Sequence, residues 1–240
     1  MSRIYLVASG KGGVGKTVFS SNLSCSYAER GVKVALVDMN VGLRNLDLYM
    51  GLENRVIFDV ADVLSGVVTP RKALVRDRRF PFLYLLATTQ KKEKFDADAD
   101  DMRKLYAYLR SHFDIIIVDG PAGVNRELSL ASTDVDAAIM ITTPEYVSLR
   151  DADLVEQTLR REGVRNRVYV VNKVHKDFLG SSMLPTVETI TSTMKIPLAG
   201  VIQYDDAIHF AANSGVPAVV GNYSYIARNF NKIADRLLVY

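Results

Sequence analysis

The chain has 240 residues, a formal net charge of +3, 48% hydrophobic and 24% charged residues, and one cysteine, Cys25. That balance is ordinary for a globular protein, excludes a disulfide scaffold, and is too weakly basic to give a strong nucleic-acid signal. No run approaches the roughly 18 apolar residues of a spanning helix, and "MSRIYLVASG" lacks the pattern of a signal peptide, so a reducing cytoplasm is expected. In chain order, Arg3 to Ser9 ("RIYLVAS") reads as a buried strand and Thr17 to Arg30 as a helix. Strands follow at Lys33 to Asp38 and Leu83 to Thr88, then a helix over Ala97 to His112. Asp114 to Gly120 ("DIIIVDG") and Ala137 to Thr143 are the next strands, with a helix over Ser148 to Glu162. Arg167 to Val174 and Leu198 to Tyr204 complete the strands, and Tyr223 to Leu238 forms a last helix. Continuous rather than alternating apolar runs indicate strands covered on both faces. The predicted fold class is α/β, a doubly wound, mostly parallel sheet flanked by helices. No repeat or Pro/Gly-rich linker divides the chain, so residues 1–240 are expected to form one domain.

"SGKGGVGKTV", Ser9 to Val18, lies between the first strand and the first helix. Gly10, four residues, and then Gly15-Lys16-Thr17 satisfy the phosphate-loop pattern G-x-x-x-x-G-K-[ST] in its proper strand-to-helix context. Gly10, Gly12, Gly13 and Gly15 let the backbone curl, so that the N–H groups through Val14 and Val18 can face phosphate. The helix dipole adds positive potential. Lys16 is expected to reach the β- and γ-phosphates, and the Thr17 hydroxyl to ligate Mg²⁺. The implied ligands are ATP or ADP with Mg²⁺.

With Lys11 included, "KGGVGKT" resembles the deviant loop of the MinD/ParA class of P-loop ATPases. The resemblance implies that Lys11 reaches the nucleotide of a second copy in an ATP-dependent homodimer, much as an arginine finger does. Spacing alone shows only that Lys11 lies in the loop. "VGLRNLDLYMGLENRVIFDVADVLSG", Val41 to Gly66, is similar to the first switch and following helix of the septum-site-determining branch. "DGPAG", Asp119 to Gly123, resembles the second switch, which implies that Asp119 holds a Mg²⁺-bound water. "TPEYVSLRDAD", Thr143 to Asp153, resembles the approach to a regulator-binding helix and marks Arg150, Asp151 and Asp153 as partner-facing. The alternative is a helix start, where the dipole favours acidic residues anyway. "VNK", Val171 to Lys173, resembles an adenine-reading segment, with Asn172 on the base edge and Lys173 beside it; a turn cap is the alternative for Asn172. The likeness runs from about residue 3 to about residue 237.

Departures from that pattern shape the functional expectation. Asn40 stands where the class has an aspartate that positions the attacking water, and an amide cannot take a proton at neutral pH. Asp38 remains two residues earlier as the alternative catalytic carboxylate. Losing a base typically costs about 10²- to 10⁴-fold, so slow hydrolysis is expected. Val18 replaces a threonine whose hydroxyl touches the α-phosphate, and Gln203 replaces a proline near the adenine. The chain stops at "FNKIADRLLVY", where the resemblance leads one to expect a basic amphipathic tail. Ile226, Phe230, Ile233 and Leu237 instead recur at the spacing of a helix packed on the sheet.

The leading expectation is an ATP-dependent dimerisation switch that hydrolyses ATP slowly and helps place the division septum. Its partners would be itself and a division inhibitor or topological regulator, with peripheral contact at most to the inner face of the membrane. Alternatives are an ATP-locked scaffold with negligible turnover, and a partitioning or flagellar-number ATPase. One cysteine excludes an electron carrier whose cluster needs two per chain.

Overall fold

The computed structural model describes residues 2–175, 184–220 and 224–240. The apolar runs become β1 (Arg3–Ser9), β2 (Val34–Asp38), β4 (Leu83–Leu86), β5 (Ile115–Ala122), β6 (Ala137–Thr142), β7 (Asn166–Val174) and β8 (Leu198–Gln203). A two-residue strand, β3 (Val75–Arg76), joins them at one edge. They form one eight-stranded sheet in the order β3-β4-β2-β5-β1-β6-β7-β8. Every neighbouring pair is parallel except β3 with β4. The short hairpin edge escaped the sequence reading because two residues carry no periodicity.

Helices cover both faces. The long ones are α1 (Lys16–Glu29), α5 (Ala99–His112), α7 (Tyr146–Arg161) and α10 (Ser224–Leu237). Shorter ones are α2 (Leu46–Tyr49), α3 (Val60–Leu64), α4 (Pro70–Ala73), α6 (Arg126–Ala131), α8 (Val187–Met194) and α9 (Asp206–Asn213). On one face, Phe19 and Leu23 of α1 join Phe230 and Ile233 of α10 over Tyr5, Val7, Leu36 and Ile117. On the other, Met102 and Leu105 of α5 and Leu149 and Val155 of α7 pack on Ile4, Leu6, Ile116 and Val118. Successive strand residues thus enter opposite cores, which is why these strands are apolar throughout.

The helix starts show local causes. Asp98 and Asp101 form a reciprocal capping box at α5, and Asp59 and Asp62 do the same at α3. Along α10, Ile226, Phe230, Ile233 and Leu237 are all buried, as their spacing predicts. Tyr223, read as its first residue, lies outside the described residues. One expectation is corrected at α7. It starts at Tyr146, two residues before Ser148, whose buried hydroxyl instead accepts from the Thr143 N–H. Arg150, Asp151 and Asp153 therefore lie beyond the first turn, which contains no acid, and dipole stabilisation does not explain them. Among the described residues, no helix is long and apolar enough to cross a membrane.

Candidate functional site

The carboxyl ends of β1, β2, β5, β7 and β8 open onto one cleft of about 430 Å³. In an open α/β sheet this is where ligands bind. Residues Lys11 to Val18 form one wall, Asn40 and Asn45 a second, and Asn172, Lys173 and Gln203 to Asp205 a third. Ile208 and His209 of α9 close the far end.

The loop between β1 and α1 has the backbone its glycines permit. Gly13 and Gly15 sit at φ of 80° and 91°, in the left-handed region. Gly15 leads directly into α1 with no side-chain cap, so no capping side chain occupies the helix's first N–H groups. Gly10 has a different reason to be glycine. A Cβ there would lie 2.3 Å from the Asp151 carbonyl carbon, so the root of the loop packs directly on α7. Gly10 does not line the cleft, whereas Lys11, Gly12, Gly13, Val14, Gly15, Lys16, Thr17 and Val18 all do.

A polar cluster lies at the start of α1. Lys16 Nζ donates to Asn40 Oδ1 at 3.1 Å and to Asp119 Oδ1 at 3.3 Å. Thr17 Oγ1 donates to Asp119 Oδ2 at 2.7 Å, and Ser20 Oγ donates to Asp119 Oδ1 at 2.9 Å. Asn40 Nδ2 donates to Asp119 Oδ2 at 2.8 Å and to Asp38 Oδ1 at 3.3 Å. Asp38 and Asp119 face each other in the β2–β5 register, and both are fully buried. Burial first, and the Asp119 charge second, push the Asp38 carboxyl up to about 7.

Of the residues singled out for chemistry, Lys11, Lys16 and Asn40 line the cleft and Asp38 does not. Asp38 accepts the Asn40 N–H at 2.8 Å and the Leu46 N–H at 3.4 Å, which fixes the backbone behind Asn40. Asp38 is fully buried, whereas Asn40 is half-buried and lines the cleft. Thr17 and Asp119 form a hydroxyl–carboxylate pair suited to Mg²⁺, which takes one or two protein oxygens and leaves the rest to phosphates and water. Among the described residues, no group of three or more His, Cys, Asp or Glu forms a self-sufficient metal site. The donor set fits an ion that arrives with a nucleotide.

Lys11 Nζ makes an ion pair with Glu145 Oε2 at 2.6 Å, ahead of α7. Asn172 Nδ2 donates to the Val14 carbonyl and Lys173 Nζ to the Gly13 carbonyl, each at 2.7 Å. Arg150 is exposed on α7, Asp153 accepts from Gln157 at 2.8 Å, and Asp151 lies against Gly10. None of these three lines the cleft, and they share α7 with the exposed Tyr146, Val147 and Leu154. Sequence reasoning missed Ser20 and Glu145. Ser20 was detectable, since it follows Lys16 by one helical turn on the same face. Glu145 carries no local signal, because its partner is 134 residues away.

Residues 5–218 match the profile of the CobQ/CobB/MinD/ParA nucleotide binding domain. The chain is 40% identical to the septum site-determining protein MinD of Synechocystis sp., over 99% of this chain and 90% of that protein. Among solved structures, it is similar to MinD in the MinC:MinD cell division protein complex of Aquifex aeolicus, with a TM-score of 0.91 and 33% identity, covering 100% of this chain and 96% of that one. It is also similar to the septum site-determining protein MinD of Pyrococcus horikoshii complexed with Mg-ADP, with a TM-score of 0.87 and 30% identity, covering 99% of this chain and 96% of that one.

Proposed function

The chain belongs to the CobQ/CobB/MinD/ParA nucleotide-binding family, and from that premise we propose that it is a MinD-type ATPase acting in division site selection. It binds Mg²⁺–ATP as a single domain, dimerises on it and hydrolyses it slowly. The strongest support is the convergence in one cleft of the loop residues 11–18 and Asn40, with the buried Asp119 held behind them by Lys16 and Thr17. The Pyrococcus relative, complexed with Mg-ADP, supports the same ligands here.

Each group has a task that its position suits. Loop N–H groups and Lys16 hold the β- and γ-phosphates and neutralise their charge. Thr17 and Asp119 would hold Mg²⁺, the Thr17 hydroxyl directly and Asp119 through water. Held there, the ion would supply positive charge against the phosphates during transfer. Asn40 offers the attacking water an acceptor but no base, which favours a long-lived ATP state. The far end of the cleft, at Gln203 to Asp205 and α9, takes the base. Lys11 leaves Glu145 to meet the nucleotide of a second copy.

The Aquifex complex supports a division-inhibitor partner. On this chain we assign that contact to α7, where Arg150, Asp151 and Asp153 flank exposed Val147 and Leu154. Action is cytoplasmic, with peripheral contact at the inner membrane face. Asn40 also favours a second reading, an ATP-locked scaffold in which turnover is negligible. Calorimetry with Mg²⁺–ATP, paired with phosphate release, tests both. Binding with slow release supports the switch, and binding without release the scaffold. Lys16→Ala should abolish measurable binding, and ATP affinity retained in that variant would sink the assignment.

A further inference from the structure

Asn172 and Lys173 sit at a bulge in β7. Val171 pairs with Val201 and Val174 with Gln203, so β7 carries one more residue than β8 over this interval. Lys173 adopts φ 58°, a left-handed conformation that costs a side chain other than glycine some strain. The bulge directs two neighbouring side chains at one target. Lys173 Nζ takes the Gly13 carbonyl and Asn172 Nδ2 the Val14 carbonyl, across 160 and 158 residues of sequence.

Those two carbonyls belong to the softest part of the phosphate loop. Val14 lies between Gly13 and Gly15, both at positive φ, so the loop's own sequence leaves these peptide planes free to rotate. In a trans peptide the C=O and N–H point in opposite directions. Pinning the Gly13 and Val14 carbonyls toward β7 therefore aims the N–H groups of Val14 and Gly15 the other way, as donors for phosphate. Gly15 is matched to this contact, since a Cβ there would lie 2.4 Å from Asn172 Nδ2.

We propose that Asn172 and Lys173 are positioning residues that brace the phosphate loop in its donating shape. One N–H of the Asn172 amide is given to the loop, and its second N–H and Oδ1 remain for the base edge expected of it. The proposal rests on the nucleotide-binding reading above. It predicts that the brace matters for any polyphosphate, with or without a nucleoside.

The test is calorimetry with Mg²⁺–ADP and with Mg²⁺–tripolyphosphate, which has no base or ribose. Lys173→Gly accepts the bulge's positive φ while deleting the ammonium, and Asn172→Ala deletes the second donor. Each variant should weaken both ligands by about three- to tenfold, by a similar factor, as expected for one lost hydrogen bond. Lys173→Arg, which keeps a cationic donor, should recover much of the affinity. Ligand-free melting of each variant shows that the fold persists; if Lys173→Gly melts early, Asn172→Ala and Lys173→Arg carry the comparison. A loss confined to ADP would overturn the brace in favour of nucleoside contact, and no loss for either ligand would overturn it outright. Unsubstituted protein that binds ADP but not tripolyphosphate would also count against it. If the unsubstituted protein binds neither, the nucleotide-binding reading fails and the brace with it.

Discussion

Asn40 makes contacts that an aspartate at the same position cannot make. Its Nδ2 donates to both buried acids, Asp38 and Asp119, while its Oδ1 accepts from Lys16. A carboxylate there would remove two donors and bring a third negative group against the pair. Asn40→Asp is therefore expected to destabilise the nucleotide-free protein by about 1–3 kcal/mol. By the water-positioning argument it should also raise turnover at least about tenfold, with little change in ATP affinity. Urea unfolding checks the first effect and phosphate release the second; equal turnover in the two proteins would defeat the role given to Asn40. Asp38 supplies a pH prediction. Its carboxyl is raised from an ordinary 3.8 to about 7, chiefly by burial and then by Asp119. A folded value above the unfolded one favours folding fully below about pH 4, and that contribution is lost as pH rises through about 7. In metal-free buffer the melting temperature should fall across that window, and Asp38→Asn should flatten the fall. An unchanged slope in the variant would assign the effect elsewhere.

Helix α10 shows what a period alone can establish. Phe230 is 1% exposed and packs against Phe19 of α1, with ring centroids 5.8 Å apart. Phe230→Ala should cost about 3–5 kcal/mol, whereas Val239→Ala, at a residue 77% exposed, should change little. Equal midpoints in urea for the two variants would contradict the packing of this helix. Elements of this kind were legible in the sequence because burial on both faces imposes long apolar runs on strands such as Ile115–Ala122. Short helices such as Pro70–Ala73 and Arg126–Ala131 were not, since four or six residues give too little period. The phosphate loop's place and the left-handed turns at Gly13 and Gly15 were legible, because the motif encodes backbone shape, but the packing of Gly10 on α7 was not. Nor were the partners of the site's side chains. Glu145 beside Lys11, Ser20 beside Asp119 and the carbonyls held by Asn172 and Lys173 depend on contacts that only the folded sheet creates.

At the scale of the whole molecule, the question is whether Lys11 can leave its own chain. Its partner Glu145 is about half exposed, and Lys11 itself about one-third. Solvent-exposed ion pairs contribute about 0–1 kcal/mol, so releasing Lys11 is cheap. Phosphates buried between two copies would offer it a desolvated, more strongly interacting partner. On the proposed dimerisation with ATP, the balance would favour transfer. On the proposed function, the loop N–H groups and Lys16 would hold nucleotide within one chain without Lys11. Lys11→Ala should therefore bind ADP and ATP with near-unchanged affinity and remain monomeric in both. Glu145→Gln removes the competing partner in both copies and should tighten ATP-dependent dimerisation, but by no more than about thirtyfold, the limit set by about 1 kcal/mol per copy. Light scattering coupled to size-exclusion chromatography, in ATP and in ADP, distinguishes these outcomes. A Lys11→Ala protein that dimerises normally with ATP would exclude the trans role. If Glu145→Gln tightens dimerisation a hundredfold instead, the Lys11–Glu145 pair is a strong internal restraint rather than a weak surface contact.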